Sequence, residues 1–221
     1  MSTTTETNTP TTTSEFDSID DAIEAFRKGE FLVVVDNEDR ENEGDLIIAG
    51  EDMTAAKAAF MIRYTSGLIC VTVAQERLDS LQLPLMVAAN TESMRTAYTI
   101  SVDYKHGTTT GISAADRSAT VRALADYSKT AEDFNRPGHV FPLRPVKGGS
   151  LKRVGHTEAA LDFAKLAGKA PVAAICEVVM DDGRMARRDD LKVFAKQWGL
   201  RMVTINDLVK HRLAHNLVAD W

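Results

Sequence analysis

Short apolar runs bounded by polar residues and glycine recur along the chain, and they predict its strands. Residues 31–35 read Phe-Leu-Val-Val-Val, and a run of this length with several β-branched side chains is typical of a buried strand. Apolar and polar positions alternate through residues 98–103, which predicts a half-buried strand. The predicted strands are residues 31–35, 46–49, 68–73, 98–103, 172–180 and 201–205.

Between these strands, apolar side chains return at helical spacing. Ser18 precedes two aspartates and predicts a capped helix that ends at Gly29. Ser113 and Asp116 have the spacing of a capping box. The predicted helices are residues 18–29, 54–65, 75–81, 114–125, 158–166, 188–198 and 207–216. Strands that alternate with helices in this way predict an α/β domain of layered architecture.

Two segments fit neither pattern. Residues 1–14 are rich in threonine and almost without apolar side chains, so we expect a disordered tail and a single folded domain over residues 15–221. Residues 136–145 contain three prolines and a glycine. These residues exclude a regular helix and predict a rigid loop.

Composition narrows the class of protein. The chain has 221 residues and a net charge of −6, which argues against a protein that binds nucleic acid through a basic surface. No apolar run has the length of a membrane span, and the N-terminus lacks the pattern of a secretory signal. Cys70 and Cys176 lie in apolar runs without metal-ligand spacing, so we expect reduced thiols in a cytoplasmic protein.

The strongest candidate for chemistry is the acidic segment, residues 36–45, which lies between two predicted strands. It carries six carboxylates, and like charges on a segment held at both ends repel one another. A divalent cation such as Mg²⁺, Mn²⁺ or Ca²⁺ would relieve this repulsion, although a solvated charged loop has the same composition. A calcium loop between two helices is excluded, because its twelfth position would be Gly50 rather than a carboxylate.

Other polar groups are candidates for binding an anion or a metal. Arg153, His156 and Thr157 surround the start of a predicted helix, where the helix dipole and free amides favour an anion. His156 could also ligate a metal through neutral imidazole. Glu177 interrupts an apolar run, so its carboxylate is either paired in the interior or exposed on an edge strand.

Two further segments allow both a functional and a structural interpretation. His139 lies in the proline-rich segment 136–145, either held for chemistry or as a surface residue. The hydroxyl side chains of residues 108–110 come just before a capped helix. They could contact a phosphate, or they could simply belong to the cap.

Four motifs stand in a fixed order along the chain. They are DRENEGD at residues 39–45, RPGHVFPL at 136–143, RVGHTEAA at 153–160 and CE at 176–177. Together they resemble the motifs of the 3,4-dihydroxy-2-butanone 4-phosphate synthase family, and the resemblance extends from about residue 16 to the C-terminus. Many relatives carry a fused GTP cyclohydrolase II domain, for which this chain is too short, so the resemblance implies a monofunctional enzyme.

The resemblance implies a lyase of riboflavin biosynthesis, dependent on Mg²⁺ or Mn²⁺, that converts D-ribulose 5-phosphate to L-3,4-dihydroxy-2-butanone 4-phosphate and formate. It also implies a compact α/β sandwich with a mixed sheet, and a cytoplasmic homodimer with active sites at the subunit interface. The implied metal ligands are Glu41 and His156. The implied substrate-binding residues are Arg40, Glu41, Asp45, Thr108, Arg153, Gly155, His156, Thr157 and Glu177, and the implied catalytic residues are Asp45, His139 and Glu177.

The chemistry of this reaction accounts for these residue types. Removing the proton at C3 of a ketose places negative charge on the C2 and C3 oxygens, and a chelated divalent cation stabilises that charge. Dehydration, skeletal rearrangement and loss of C4 as formate need further proton transfers. We expect Asp45 and Glu177 to make the early transfers and His139 to shuttle protons or orient a water molecule. Arg153 and Thr157 would hold the 5-phosphate.

Two other functions stay open from the residues alone. A different metal-dependent sugar-phosphate lyase or isomerase would begin with the same enediolate, and formate among the products would distinguish the two. A non-catalytic cation-binding protein would need only the acidic segment. The presence of Glu177, His139 and the 153–157 segment in the same chain argues against that alternative.

Overall fold

Seven strands form one mixed sheet in the computed structural model, which describes residues 15–217. They are β1 (Leu32–Val35), β2 (Gly44–Ala49), β3 (Cys70–Val73), β4 (Val102–Tyr104), β5 (Phe134–Leu143), β6 (Val172–Glu177) and β7 (Arg201–Thr204). Their order in the sheet is β4-β5-β3-β6-β2-β1-β7. The β1–β7 and β3–β5 pairs are parallel and the other neighbours are antiparallel. The predicted tail at residues 1–14 lies outside the described residues.

Helices cover both faces of this sheet. Within residues 15–217 they are α1 (Ile19–Arg27), α2 (Ala55–Tyr64), α3 (Gln75–Ser80), α4 (Ala114–Ala125), α5 (His156–Leu166), α6 (Arg188–Trp198) and α7 (Ile205–Ala214), with 3₁₀ turns at Gly50–Asp52, Ala131–Asp133 and Gly149–Leu151. None of the described helices is both long and apolar enough to cross a membrane. The predicted α/β sandwich with a mixed sheet is confirmed.

The two helical layers explain why the strands are apolar along their whole length. Val33 and Val35 pack in the core that contains α2, α4 and α6, while Leu32 and Val34 pack in the core that contains α1, α5 and α7. A strand covered on both faces buries every side chain, so its sequence reads as a continuous apolar run rather than an alternating one.

Capping residues set the starts of several helices where the sequence predicts them. Ser18, Thr54 and Ser113 each accept a hydrogen bond from a backbone N–H in the first turn of α1, α2 and α4. Each cap satisfies an amide that has no partner inside its helix. The start of α5 is different, because it lies at His156, two residues before the predicted start at residue 158.

The proline-rich segment is a strand, so the prediction of a loop at residues 136–145 is wrong over most of that range, although the exclusion of helix is correct. β5 spans Phe134–Leu143 and pairs with β3 and β4. Proline lacks a backbone donor but can still accept a hydrogen bond. The carbonyl of Pro142 accepts bonds from the amide and the hydroxyl of Thr99, both at 2.9 Å.

The strand predicted at residues 98–103 is regular only at its end, and its polar side chains are not solvated as the alternating pattern predicts. Thr99, Ser101 and Asp103 are buried. They bind the neighbouring strand instead: the Ser101 hydroxyl accepts from the amide of Gly138 at 3.1 Å, and Asp103 accepts from the amide of His139 at 2.8 Å. These polar side chains take the place of regular backbone hydrogen bonds between strands. The alternation of apolar and polar residues therefore wrongly predicts that the polar side chains are exposed to solvent.

A fully buried ion pair joins the C-terminal helix to the loop before α5. The Arg212 guanidinium on α7 lies 2.7 Å from the Asp162 carboxylate on α5, and neither side chain has exposed surface. Arg212 also donates to the carbonyl of Gly148 at 3.0 Å, and Asp162 accepts from the amide and hydroxyl of Ser150. The pair therefore fixes the loop that leads into residues 153–157.

Arg212→Met is expected to lower the free energy of unfolding by about 3 kcal/mol, because it leaves the Asp162 carboxylate buried without its cation. Urea denaturation measures the change. Arg201→Met is the matched control, since the ion pair of Arg201 with Asp17 lies at the surface and should contribute less than about 1 kcal/mol. Equal destabilisation by the two substitutions would contradict the assigned importance of the buried pair.

Candidate active site

A cavity opens over the ends of β2 and β6, and most of the predicted site residues line it. Its lining consists of Arg40, Glu41, Glu43, Asp45, Cys70, Glu92, Thr96, Tyr98, Leu143, Arg153, His156, Thr157, Ile175 and Glu177. Asp45 and Glu177 stand opposite each other in the β2–β6 register. The fold thus brings together the acidic segment, the start of α5 and the end of β6, which are far apart in sequence.

Asp36 organises the backbone of the acidic segment. Its buried carboxylate accepts hydrogen bonds from the amides of Glu41 and Glu43, both at 2.9 Å, and from the Arg40 guanidinium at 3.0 Å. Oxygen atoms of Asp36 and Glu41 and a ring nitrogen of His156 lie within 4.8 Å of one another. Because these three donors take most of the acceptor sites of the Asp36 carboxylate, we assign it to loop structure rather than to metal binding.

His156 points one ring nitrogen into the cavity. It occupies the first position of α5, is buried, and its Nε2 lies 3.1 Å from the carbonyl oxygen of Val34. A carbonyl can only accept, so Nε2 carries the proton and the lone pair of the neutral ring is on Nδ1. That Nδ1 lies 3.4 Å from Glu41 Oε2 and 3.8 Å from Asp45 Oδ1. This orientation is the one a metal-ligating histidine needs.

The carboxylates around His156 have perturbed acidities. Burial raises the pKa of Asp45 to about 8, and burial followed by repulsion from Glu177 raises the pKa of Glu43. The hydrogen bond with His156 lowers the pKa of Glu41. Burial alone would lower the pKa of His156, but attraction to Asp45 and Glu41 outweighs it and raises the value to about 9. The negative charge of these clustered carboxylates therefore favours the binding of a cation or a proton.

These residues fit a hard divalent cation. Oδ1 of Asp45 has no hydrogen-bond partner among the described residues although it is buried, and a buried carboxylate oxygen left unpaired is unfavourable. Carboxylate oxygens with a single imidazole match the ligand preferences of Mg²⁺ and Mn²⁺ better than those of a thiolate-seeking metal. Cys70, which also lines the cavity, is buried, and burial raises the pKa of its thiol.

The start of α5 forms the opposite wall of the cavity. The Arg153 guanidinium lies 2.6 Å from the buried carboxylate of Glu158 and also donates to Thr96 Oγ1 at 3.3 Å. Thr157 lies in the first turn of α5. A side chain at Gly155 would collide with the Arg153 guanidinium and the Glu158 carboxylate, so a larger residue there would displace this ion pair. This wall presents a cation, a hydroxyl and a helix N-terminus, which together suit an anion.

Three predicted site residues, Thr108, His139 and Gly155, are not among the residues that line this cavity. The Nδ1 of His139 lies 2.7 Å from Asp103, and the Thr108 hydroxyl donates to the carbonyl of Tyr104. The nearby amides of Thr109 and Gly111 donate to the Asp116 carboxylate. These two amides are therefore not free to bind a phosphate, which favours the interpretation of this loop as a helix cap, and the role of Thr108 in substrate binding stays a prediction.

The loop at residues 90–96 was not identified from the sequence, yet Glu92 and Thr96 line the cavity. The Glu92 carboxylate accepts from the amides of Met94 and Thr96, at 2.8 and 2.7 Å. The side-chain amide of Asn90 donates to the carbonyl of Thr96 at 2.9 Å. The only sequence signal was a polar segment without periodicity, which any solvated loop would share.

The loop should loosen in acid, because hydrogen bonds from the amides of Met94 and Thr96 lower the pKa of Glu92 to about 2 from 4.5. A carboxylate whose pKa is lower in the folded state than in the unfolded state stabilises the fold fully at pH values above the unfolded-state pKa. This contribution is lost as the pH falls from about 4.5 to about 2. Amide hydrogen exchange, corrected for intrinsic rates, should show protection of residues 94 and 96 falling over that range. Glu92→Gln should remove the pH dependence; an unchanged profile in that variant would contradict the assignment.

Comparisons with known proteins identify the sequences and structures that this chain is similar to. A family model described as 3,4-dihydroxy-2-butanone 4-phosphate synthase matches residues 20–211. Relatives of that name from Agrobacterium fabrum and Schizosaccharomyces pombe are 58% and 55% identical over 193 residues, covering 87% and 86% of this chain and 91% and 95% of their own. The chain is also 50% identical to a 3,4-dihydroxy-2-butanone 4-phosphate synthase solved in complex with two magnesium ions, with a TM-score of 0.85, covering 89% of this chain and 96% of that one.

Proposed function

Because the chain belongs to the 3,4-dihydroxy-2-butanone 4-phosphate synthase family of riboflavin biosynthesis, we propose that the cavity is the site at which D-ribulose 5-phosphate becomes L-3,4-dihydroxy-2-butanone 4-phosphate and formate. One observation carries this assignment. Glu41 and the Nδ1 of His156 converge at 3.4 Å beside Oδ1 of Asp45, which has no hydrogen-bond partner among the described residues, with the Arg153–Thr157 wall lining the same cavity.

Glu41 and His156 would hold a divalent cation, and the enzyme would be a Mg²⁺-dependent lyase that also accepts Mn²⁺. The solved relative in complex with two magnesium ions supports Mg²⁺. When bound, the cation supplies Lewis-acid stabilisation of the negative charge that develops on the C2 and C3 oxygens. His156 is suited to this role because the carbonyl of Val34 fixes its tautomer.

Side chains of the cavity would bind the substrate and move its protons. Asp45 and Glu177 are cross-strand partners on β2 and β6, so their side chains lie side by side on one face of the sheet. A sugar bound over them would have a carboxylate available as base at one carbon and as acid at another. The Arg40 guanidinium lies 2.6 Å from Glu41 and would orient that carboxylate. Arg153, Gly155 and Thr157 would hold the 5-phosphate by charge-assisted hydrogen bonds and a backbone amide.

His139 would reach the cavity of the partner subunit in a homodimer. Leu143 lines the cavity, and His139 lies four residues earlier on the same strand. Four residues of strand span about 13 Å, so His139 is about that far along β5 from the cavity residue Leu143. Ile112 is 52% exposed and follows Gly111, which lies against the His139 ring. An exposed apolar side chain beside an unused histidine supports a subunit contact at this surface. We place Thr108 on the same face, as a contact to the partner's substrate.

We also propose a cytoplasmic enzyme whose substrate is a small sugar phosphate. Cys70 and Cys176 are free and buried, which supports a reducing compartment. The net charge of −6 gives no general attraction to nucleic acid.

Incubation of the purified chain with ribulose 5-phosphate and Mg²⁺ tests the proposed function. Formate should appear in equal amount with the four-carbon phosphate, EDTA should stop its release, and added Mg²⁺ should restore it. Consumption of the substrate without formate would favour a different sugar-phosphate lyase or isomerase. Mg²⁺ binding without substrate turnover would favour a non-catalytic cation-binding protein, and full activity in EDTA would exclude the metal-dependent reaction.

Arg153→Ala is expected to raise KM roughly 10- to 100-fold with a much smaller change in kcat, because contacts to the phosphate are made in both the ground state and the transition state. Steady-state formate release gives both constants. Lys152→Ala is the control, since this exposed neighbour does not line the cavity. An unchanged KM in Arg153→Ala would show that the phosphate binds elsewhere.

A further inference from the structure

The carboxylate of Glu177 accepts a hydrogen bond from Ser66, a residue that does not line the cavity. The hydroxyl of Ser66 donates to Glu177 Oε2 at 2.7 Å, and the Ser66 amide donates to the Glu177 carbonyl at 2.8 Å. We propose that Ser66 is a positioning residue for the reaction, which acts through Glu177 by fixing the direction of its carboxylate. This inference rests on the proposed role of Glu177 in proton transfer.

The direction of the hydrogen bonds follows from the groups involved. Ser66 Oγ also lies 3.3 Å from Cys176 Sγ. An ionised carboxylate can only accept, so the single hydroxyl proton of Ser66 goes to Glu177 and the Ser66 oxygen is left to accept from the thiol. Burial raises the pKa of Cys176 to about 11, which keeps that thiol protonated. A directed chain therefore runs from Cys176 through Ser66 to Glu177, and the Cys176 thiol also donates directly to the same Glu177 Oε2, at 4.0 Å.

The backbone around Ser66 is fixed independently of this chain. The hydroxyl of Thr65 donates to the carbonyl of Met61 at 2.5 Å, and the amide of Gly67 donates to Thr65 Oγ1 at 3.2 Å. The buried Arg117 on α4 donates to the Gly67 carbonyl at 2.7 Å. Ser66 thus stands on a short segment anchored to α2 and α4, so its hydroxyl is already in place before any substrate binds.

This arrangement assigns different tasks to the two oxygens of Glu177. Oε2 is occupied by Ser66, which leaves Oε1 as the oxygen available to a substrate in the cavity. A carboxylate without the Ser66 bond could rotate, and small displacements of a reacting group lower the rate sharply while affecting substrate binding less. A loss confined to kcat is therefore the signature of a positioning role.

Ser66→Ala should lower kcat about tenfold, with KM within about twofold of the wild-type value. Ser66→Thr keeps the hydroxyl and should retain kcat within about threefold. Ser128→Ala is the matched control, because Ser128 lies on the surface and its amide and hydroxyl bind only the neighbouring Asp126 among the described residues; it should match the wild type. Melting temperature is measured for each variant. Unchanged kcat in Ser66→Ala, or equal losses in Ser66→Ala and Ser66→Thr, would overturn the inference.

A double-mutant cycle separates this inference from the proposed function. Glu177→Asp keeps a carboxylate but is too short to reach Ser66, so adding Ser66→Ala to it should change kcat less than about twofold. A further tenfold loss would show that Ser66 acts by another route. Full activity in Glu177→Gln would remove the proposed role of Glu177 itself. Inactive Glu177→Gln together with fully active Ser66→Ala would overturn only the role of Ser66.

Discussion

Glu41→Gln is expected to reduce formate release to less than about one-thousandth of the wild-type rate, because a neutral amide replaces one of the two proposed protein ligands to the cation. The fold should persist. Glu41 lies beside Asp45, Glu43 and His156 in a cluster with excess negative charge, so removing one charge relieves repulsion while the Arg40 pair is lost. Steady-state formate release, calorimetric titration with Mg²⁺ and thermal unfolding together test this expectation.

Glu38→Gln is the matched control for that experiment. It removes the same charge from the same acidic segment, but the Glu38 side chain is 74% exposed, and its one ion pair within residues 15–217 is with Arg188, at 3.5 Å. Its activity and Mg²⁺ affinity should equal those of the wild type. If Glu41→Gln kept more than a tenth of the activity, or if both variants lost it equally, Glu41 would not be a metal ligand.

The parts of the fold that depend on neighbouring residues could be predicted from the sequence. Ser18, Thr54 and Ser113 cap their helices through bonds to amides three residues ahead, and such signals are complete within a few residues. The strand at residues 31–35 could be predicted because both of its faces are buried, which makes its composition unambiguous.

The parts that depend on distant partners could not be predicted in the same way. β5 looked like a loop because the groups that bind it, Thr99, Ser101 and Asp103, come from a segment about 40 residues earlier. Asp36 binds the amide of Glu41 only because the loop folds back on itself. Ser66 contacts Cys176 only because β6, 110 residues later in the sequence, lies beside it. Local periodicity carries no information about such contacts.

The site shows the same division. Residue type alone identifies the acidic segment and the 153–157 segment as candidate functional sites. Only the resemblance to a family predicts that Glu41 and His156 bind the same metal. The structure brings them to 3.4 Å and adds Glu92 and Thr96 to the cavity. The position of His139 is not explained by this cavity, because His139 matches a family motif and yet is not among the lining residues, and its Nδ1 lies 2.7 Å from Asp103.

Subunit mixing should restore activity to two inactive variants if His139 serves the partner's cavity. Glu41→Gln and His139→Asn are each expected to be inactive. In a mixed dimer, one cavity would carry both substitutions and the other would carry neither. Random reassociation gives half mixed dimers with one intact site of two, so about one quarter of the wild-type activity should return. Differently tagged variants, unfolded together and refolded, allow the mixed dimer to be isolated and assayed for formate release.

The matched control mixes Glu41→Gln with Glu177→Gln. Both residues line the same cavity of one subunit, so every site of the mixed dimer would still lack one of them and no activity should return. Recovery with the His139 variant but not with the Glu177 variant is the result that an interfacial site requires. If neither mixture recovers activity although mixed dimers form, His139 must act within its own subunit, and the 90–96 loop and β5 would have to move to bring it to the cavity.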